Sequence, residues 1–442
     1  MSEFPAGWAT RTLGEVVEPT APIIYGILQP GPDTSGGVPY VRPSEIEAGQ
    51  IDFGSLKRTT PEIAQRYRRA SLRTDDVLLS IVGTIGKVAL VPPVLDGANI
   101  TQSSCRIRPE GRLILPEFVK QFLCSPLAVE QFDKFRLGTA VPRLNLEDVR
   151  KIEIPVPPKA EQRRIVSKID SLSTKSRRAR NHLDHVQRLV EKYKQSVLDA
   201  CFTGFQETAP LFDFVDKDRG IRYGIIQTGT ATQDGIPTVR CGDIRNHSID
   251  FGKLKRVEPE IENQYRRTRL RGNEVLIAIR GSVGNTSVVS GDLVGCNISR
   301  EVAMIPLKED HIPSFFSYYL TSTEARSFIT GNIKGVAQQG INLADLRNAL
   351  IPVLKPTGQA ETVYRIETAF AWIDRLAAEA ISARKLIDHL DQAVLSKAFR
   401  GELVPPDPSD EPVSVLLERI KIERAGTSSP SRSRGRPKAV PA

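Results

Sequence analysis

Cysteine is scarce and scattered in this chain of 442 residues. The five cysteines are odd in number, far apart in sequence and never spaced as Cys-x-x-Cys, which argues against a disulfide framework and against a zinc ribbon. No apolar run approaches the ~18 residues that a membrane-spanning helix needs, and the N-terminus lacks the basic-then-apolar layout of a secretory signal. The sequence therefore predicts a cytoplasmic protein with no membrane partner.

Several signatures of catalysis are also missing. We find no Asn/Asp-Pro-Pro-Tyr/Phe tetrapeptide of adenine methyltransferases, no Phe-x-Gly-x-Gly cofactor motif, no Gly-x-x-x-x-Gly-Lys-Ser/Thr phosphate loop and no His-Glu-x-x-His zinc motif. His182 and His185 lie three residues apart on a predicted helix, where solvent-facing histidines are far commoner than a metal site. These absences disfavour a methyltransferase, a P-loop nucleotidase and a zinc hydrolase, and they disfavour a metal site on the predicted helix.

What the chain does contain is a copy of itself. Tyr25-Gly26-Ile27 returns 198 residues later as Tyr223-Gly224-Ile225, and seven of the eight residues from Ile51 return at the same spacing from Ile249. Solenoid repeats have periods of roughly 20 to 50 residues, so this period indicates two domain-sized halves instead. Two such halves related by a pseudo-two-fold suit a ligand that also presents two sites.

Each half begins with short β-rich runs and ends in a proline-bounded helix. Val77 to Val82 and its copy Val275 to Arg280 are interrupted by Gly, Pro and Asn on both sides, which is typical of a compact α+β domain. The predicted fold class is α+β, with two pseudo-symmetric globular domains joined by two long antiparallel coiled-coil helices. The predicted boundaries are 1–157, 158–205, 206–355, 356–404 and 405–442, the last holding a short amphipathic stretch and a tail.

The two helices carry apolar residues at heptad spacing. At about 1.5 Å per residue, the segment from Ile169 to Ala200 would span about 48 Å, or about 14 base pairs of duplex. An amphipathic helix lying on its own domain is the alternative. The predicted helix core consists of Ile169, Leu172, Leu183, Val186, Val190, Tyr193, Val197, Ile366, Ile373, Leu376, Ile387, Leu390 and Val394.

Positive charge exceeds negative charge, with 61 Lys+Arg against 52 Asp+Glu and a net charge of +9. This balance favours a polyanionic partner, weakly by itself. From Arg424 onward every charge is positive, and the composition is typical of a disordered tail. Arg434-Gly435-Arg436-Pro437 is similar to the core of an AT-hook, but non-specific attraction to phosphate is the better reading of so short a match.

The duplicated order of domain, helix, domain and helix over about residues 10 to 404 resembles the specificity subunit of type I restriction-modification systems. Shorter motifs support the resemblance: the Tyr-Gly pairs, the Gly-x-x-Gly loops at Gly83 and Gly281, Asn99 with Asn297, and the Pro-x-x-x-Gln helix entry at Pro158, which is one residue shorter at Pro356. The resemblance implies two target recognition domains, each reading one half of a split asymmetric DNA site, with the helices setting the gap.

The same resemblance implies the partners of the chain. Double-stranded DNA, two methyltransferase subunits and restriction/translocase subunits would assemble around it. S-adenosylmethionine, ATP and Mg would then be bound by those subunits, and this chain would bind no cofactor and perform no catalysis.

Specific DNA binding requires phosphate contacts for affinity and base-edge contacts for sequence. Arginine clusters repeated in both halves are the phosphate candidates, against the alternative of a solvated helix face: Arg66, Arg68, Arg69, Arg73, Arg266, Arg267, Arg269 and Arg271. Polar positions that differ between the copies, or that lie beside the differing loops, are the base-reading candidates, against the alternative of ordinary surface residues: Lys87, Gln102, Arg143, Asn145, Arg280, Asn285, Arg300, Gln338, Gln339 and Asn342.

Two other classes of function compete with this hypothesis. A DNA methyltransferase or nuclease fused to recognition domains would transfer methyl groups or cut DNA by itself, which the missing motifs disfavour. A coiled-coil adaptor with no role at nucleic acid would not bind duplex in the salt-dependent way that phosphate contacts cause.

Overall fold

The structure, a computed structural model, describes residues 4–5, 7–245, 247–334 and 340–427. The chain divides into two compact units, one formed by residues up to Asn181 together with those from Arg384 onward, and the other by His182–Ala383. The division runs through both long helices. The predicted boundaries follow chain order and keep each helix whole, so they describe a different partition of the chain.

The first unit builds its domain from short strands and four short helices. Its strands are β1 (Ala9–Thr12), β2 (Ile24–Tyr25), β3 (Val38–Val41), β4 (Ile46–Glu47), β5 (Gln50–Ile51), β6 (Lys57–Thr59), β7 (Val77–Ser80), β8 (Val88–Leu90), β9 (Asn99–Ile100), β10 (Ser104–Ile107) and β11 (Glu153–Val156). The helices are α1 (Pro61–Arg66), α2 (Pro116–Leu123), α3 (Pro126–Phe135) and α4 (Leu146–Lys151), followed by the long α5 (Lys159–Phe202).

A four-stranded sheet with the order β2-β10-β7-β8 lies at the centre of this domain. Val77 and Leu79 of β7 belong to the core that contains Phe118 and Phe122 of α2, while Leu78 belongs to a second core with Ile100 of β9. The second core also receives the three-stranded sheet β6-β3-β9, in which β3 and β9 run parallel. Because both faces of β7 are covered, its sequence is a continuous apolar run and does not alternate.

The second unit repeats this architecture. Its strands are β12 (Thr208–Pro210), β13 (Arg222–Tyr223), β14 (Ile236–Val239), β15 (Ile244–Arg245), β16 (Ser248–Ile249), β17 (Lys255–Val257), β18 (Glu274–Ala278), β19 (Thr286–Val288), β20 (Asn297–Ile298), β21 (Val302–Pro306) and β22 (Leu350–Pro352). Its helices are α6 (Pro259–Asn263), α7 (Pro313–Tyr319), α8 (Thr323–Gly331), α9 (Leu343–Arg347) and the long α10 (Pro356–Phe399). The sheet orders β13-β21-β18-β19 and β17-β14-β20 match those of the first unit, so the predicted α+β fold with a repeated domain is confirmed.

The long helices pair antiparallel within each unit. In the first unit, Arg180 of α5 forms ion pairs of 2.8 and 2.6 Å with Asp388 and Asp391 of α10. In the second unit, Lys194 of α5 forms a 2.6 Å ion pair with Asp374 of α10. Later residues of one helix thus meet earlier residues of the other.

The predicted helix core is wrong at three positions. Ile169, Ile366 and Ile373 are buried, but Tyr193, Leu376 and Leu390 are 57%, 38% and 55% exposed. An α-helix drifts by about 20° per heptad relative to an exact seven-residue repeat, so a strict heptad assignment leaves the contact face over several turns. Other positions of these helices are buried: Ala380, together with Leu198 in the core of the second unit and Leu395 and Ala398 in that of the first.

The predicted amphipathic stretch after α10 is the helix α11 (Val413–Thr427). Val413 and Ile420 are buried in the core of the first unit, next to the partly buried Leu416 and Leu417. An ion pair between Arg164 and Asp410, 2.5 Å long, holds the preceding segment against α5. The first four residues of the predicted basic tail, from Arg424, belong to α11, and the rest, including Arg434 and Arg436, lies outside the described residues.

Neither a membrane helix nor a metal cluster occurs in the described part of the chain. No described helix is long and apolar enough to cross a membrane. Likewise, no group of three or more His, Cys, Asp or Glu residues there is arranged to hold a metal ion.

Candidate nucleic-acid interface

A groove opens on the first domain where the chain after β2 runs beside the chain after β9. The Ile27 amide donates to the Ile100 carbonyl at 2.7 Å, and the Gln102 amide donates to the Ile27 carbonyl at 2.9 Å. These backbone bonds hold the exposed Gln102 in the groove. The lining encloses about 470 Å³ and consists of Leu28, Arg42, Pro43, Ser44, Val82, Thr84, Lys87, Thr101, Gln102 and Ser103.

Glycine is required at position 26 for this close approach. A Cβ atom there would lie 1.8 Å from the Ile100 carbonyl oxygen, far inside van der Waals contact. Gly224 has the same 1.8 Å clash with the Ile298 carbonyl oxygen in the second domain. Backbone packing therefore requires the glycine of each repeated Tyr-Gly pair.

The second domain forms its groove with the same backbone bonds. The Ile225 amide donates to Ile298 at 2.8 Å, and the Arg300 amide donates to Ile225 at 2.9 Å. Arg300 thus occupies the position that Gln102 has in the first domain. This groove encloses about 230 Å³ and is lined by Tyr223, Ile226, Ile279, Arg280, Arg300, Ile341, Asn342 and Leu343.

The base-reading candidates of the first domain lie in or beside its groove. Lys87 and Gln102 both line it, and Lys87 Nζ donates to the carbonyl of Pro43, another lining residue, at 2.9 Å. Arg143 and Asn145 are exposed. The backbone of Arg143 pairs with that of the groove residue Val82, so the loop carrying these two candidates borders the groove.

The candidates of the second domain are only partly brought together. Arg280, Arg300 and Asn342 share its groove, and Asn342 Oδ1 also accepts from the Asp345 amide at 2.9 Å as the N-cap of α9. The structure places Asn285 elsewhere, with Nδ2 donating to the Ile244 carbonyl at 3.2 Å in a separate cavity. Gln338 and Gln339 lie outside the described residues.

That separate cavity contains His247, in a backbone conformation that side chains rarely adopt. His247 has φ +60°, and its counterpart in the first domain is Gly49 at φ +77°. Its Nδ1 lies 3.2 Å from Ser317 Oγ, and its ring lies 4.8 Å from the ring of Tyr318. Burial, reinforced by the nearby charges of Arg326 and Lys194, lowers the pKa of His247 to about 4. The ring is therefore neutral at pH 7.

Most of the phosphate candidates are exposed, with one exception. Arg269 forms an ion pair with Glu262, which also accepts from Asn297 Nδ2 at 2.9 Å. Burial would raise the pKa of Glu262, but the hydrogen bonds from Arg269 and Asn297 lower it overall. Arg269 is thus already paired with a buried carboxylate, although its own side chain is 41% exposed. The exposed candidates are Arg66, Arg68, Arg69, Arg73, Arg266, Arg267 and Arg271.

Sequence reasoning missed Arg42 and its copy Arg240. Arg42 lines the first groove and binds the buried Glu45 through Nε at 2.9 Å, while Arg240 binds Asp243 through Nη2 at 3.1 Å. Each arginine follows a repeated Val at the end of a strand. The Val-Arg dipeptide followed three residues later by an acidic residue, present in both copies, is the signal that would have found them.

The sequence comparison and the structure comparison relate this chain to the same family of proteins. Residues 5–185 match the family described as the type I restriction modification DNA specificity domain. The specificity subunit of the type I restriction enzyme EcoBI from Escherichia coli is 30% identical over 332 residues, which cover 67% of this chain and 70% of that protein.

Solved structures extend the similarity over most of the chain. A chain from a study of complex assembly and conformational transition in a type I R-M system is 25% identical with a TM-score of 0.68, covering 91% of this chain and 100% of that one. The HsdS subunit from Thermoanaerobacter tengcongensis is also 25% identical, with a TM-score of 0.59 and coverage of 91% and 98%.

Proposed function

Because this chain belongs to the family of type I restriction enzyme specificity subunits, we propose that it reads a bipartite, asymmetric DNA site with one recognition domain per half-site. One observation carries the proposal: the two grooves share a backbone frame but present different polar side chains. Gln102 in the first groove is replaced by Arg300 in the second. Gln favours adenine edges and Arg favours guanine edges, so the two halves would read different bases.

The exposed arginines would supply the sequence-independent part of the binding. Arg66, Arg68 and Arg69 follow one another on and after α1, and Arg266 and Arg267 hold the matching place after α6. Arginine contacts to phosphate fix the register of a protein on duplex without reading sequence. Affinity would then fall steeply with salt.

The chain itself would carry out no chemistry. Two adenine-N6 methyltransferase subunits and the restriction/translocase subunits would bring the catalytic residues, together with S-adenosylmethionine, ATP and Mg.

The experiment is methylome sequencing of cells that make this chain with its neighbouring methyltransferase. We expect N6-methyladenine at one split motif, with two short half-sites around a fixed gap, and its loss when the chain is deleted. Arg300→Gln should change the second half-site and leave the first unchanged. Lys253→Ala is the matched control, because Lys253 is a solvent-exposed charge outside both grooves.

Two results would contradict the proposal. A palindromic motif would contradict the asymmetry, since the two grooves would then read the same bases. Absence of any chain-dependent motif, together with duplex binding that does not weaken with salt, would favour an adaptor without a role at DNA.

A further inference from the structure

A pair of large, partly exposed side chains is repeated in the two domains, and three of the four line a groove. Tyr25 and Leu28 are 45% and 47% exposed, and their copies Tyr223 and Ile226 are 47% and 45% exposed. Ile27, which lies between the first two, is fully buried and already anchors the segment. The two pairs are thus alike in chemistry, in position and in exposure.

Leu28, Tyr223 and Ile226 lie beside the polar residues proposed to read bases, and Tyr25 precedes Leu28 by three residues in the same segment. Leu28 lines the first groove with Lys87 and Gln102, and the Gln102 amide is bonded to the residue before Leu28. Tyr223 and Ile226 line the second groove with Arg280 and Arg300. Single exposed apolar residues are common, but their repetition at the same place in both domains, beside cationic side chains, favours a binding surface.

The comparison between the two copies separates two kinds of contact. Side chains that read sequence must differ when two half-sites differ, as Gln102 and Arg300 do. Side chains that contact what every duplex has in common can stay the same. We propose that Tyr25 with Leu28, and Tyr223 with Ile226, are sequence-independent apolar contacts to the deoxyribose edge of the bound duplex, one pair per half-site.

The charge of the grooves favours DNA over a protein partner as the occupant. Among the described residues that line either groove, none is acidic, whereas Arg42, Lys87, Arg280 and Arg300 are cationic. Sugar contacts position a protein on duplex without carrying sequence information, which is the role that repeated residues can fill.

The test rests on the proposed function and uses the chain assembled with its methyltransferase partner. Two double variants, Tyr25→Ala with Leu28→Ala and Tyr223→Ala with Ile226→Ala, remove one pair each. Phe53→Ala with Phe251→Ala is the matched control. These two aromatics are also repeated and exposed, at 53% and 41%, but line neither groove.

The measurement is duplex affinity over a range of salt concentrations, for the methylated motif and for duplexes with either half-site scrambled. Each groove variant should bind all duplexes about tenfold more weakly, as for a truncated interface anchor. The slope of log affinity against log salt should stay the same, because no ionic contact is lost. The methylated motif should also stay the same, and the control should bind as the original chain does.

Three outcomes would overturn the inference. Unchanged affinity in both variants would show that the pairs do not touch DNA. A motif changed at one half-site would make them base readers, and loss of methyltransferase from a folded chain would make them a protein-docking surface. Tyr25→Gln and Tyr223→Gln, which keep a long side chain, replace the double variants if those do not fold. If the original complex has no split motif, the proposed function fails independently of these variants.

Discussion

Replacing Gln162 by leucine should destabilise the first unit by about 3 kcal/mol. Gln162 is fully buried where α5 leaves the domain. Its Oε1 accepts from the Leu115 amide at 2.9 Å, and its Nε2 donates to the carbonyls of Leu113 and Pro157 at 3.1 and 2.9 Å. Leucine has a similar volume but makes none of these bonds. Stranding a buried backbone donor and weakening two carbonyls costs about 1 to 3 kcal/mol per group, and partial relaxation places the sum near 3 kcal/mol.

The assay is urea unfolding followed by circular dichroism, with a thermal melt beside it. For a unit of this size the loss corresponds to a decrease of roughly 6 to 12 °C in the melting temperature of the first unit. Gln359 holds the same place at the start of α10, with Oε1 accepting from the Ile312 amide at 2.9 Å, so Gln359→Leu should cost the second unit a similar amount. Gln121→Leu is the control, because its one bond, to Asp170 at 3.2 Å, is exposed. Losses below about 1 kcal/mol in both buried variants would refute the reasoning.

Three further predictions concern charge and packing. Burial lowers the pKa of His247 from 6.5 to about 4, so the unfolded state binds the proton first as pH falls. This group should therefore cost the folded chain about 2 kcal/mol of stability between pH 7 and pH 5. In urea titrations at the two pH values, His247→Asn should remove that loss, because Asn tolerates the positive φ. Arg68→Ala with Arg69→Ala should lower the salt slope of duplex binding by roughly 2, measured by fluorescence anisotropy, and an unchanged slope would show that these arginines do not contact phosphate. Ile420→Ala should destabilise the first unit by about 2 to 4 kcal/mol in urea unfolding, because Ile420 is buried in its core; a negligible loss would mean that α11 is not docked in solution.

The repeated halves and the long helices could be predicted because their signals are local in sequence. The buried run at Val77 and its copy at Val275 recur at one spacing, and similar apolar runs in the same order along the chain fold into the same sheet order. Apolar residues at three- and four-residue steps predict a helix wherever they occur. The core positions of the long helices were less predictable, because a small angular drift per heptad leaves Leu390 exposed after several turns.

The grooves were only partly predictable because they assemble residues that are distant in sequence. Arg42, Lys87 and Gln102 come from three separate loops, which backbone bonds between Ile27 and the chain after β9 bring together. Asn285 has the same place in the repeat as Lys87, yet its shorter side chain turns to a neighbouring carbonyl and leaves the groove. Position in a repeat determines the backbone, whereas the length and partners of a side chain decide where it points.

The first unit is built from two separated stretches of the chain, which affects the order in which the units can fold during synthesis. Phe118 and Phe122 of α2 pack against Phe399 near the end of α10, at ring distances of 5.1 and 5.4 Å. A ribosome that has finished residue 181 must add about half of the chain before Phe399 exists, which takes roughly 10 to 50 s at about 5 to 20 residues per second. The second unit, contiguous in sequence, can close first. The domain that is made first is therefore completed last, and the aromatic face of α2 stays without its final cover for that interval.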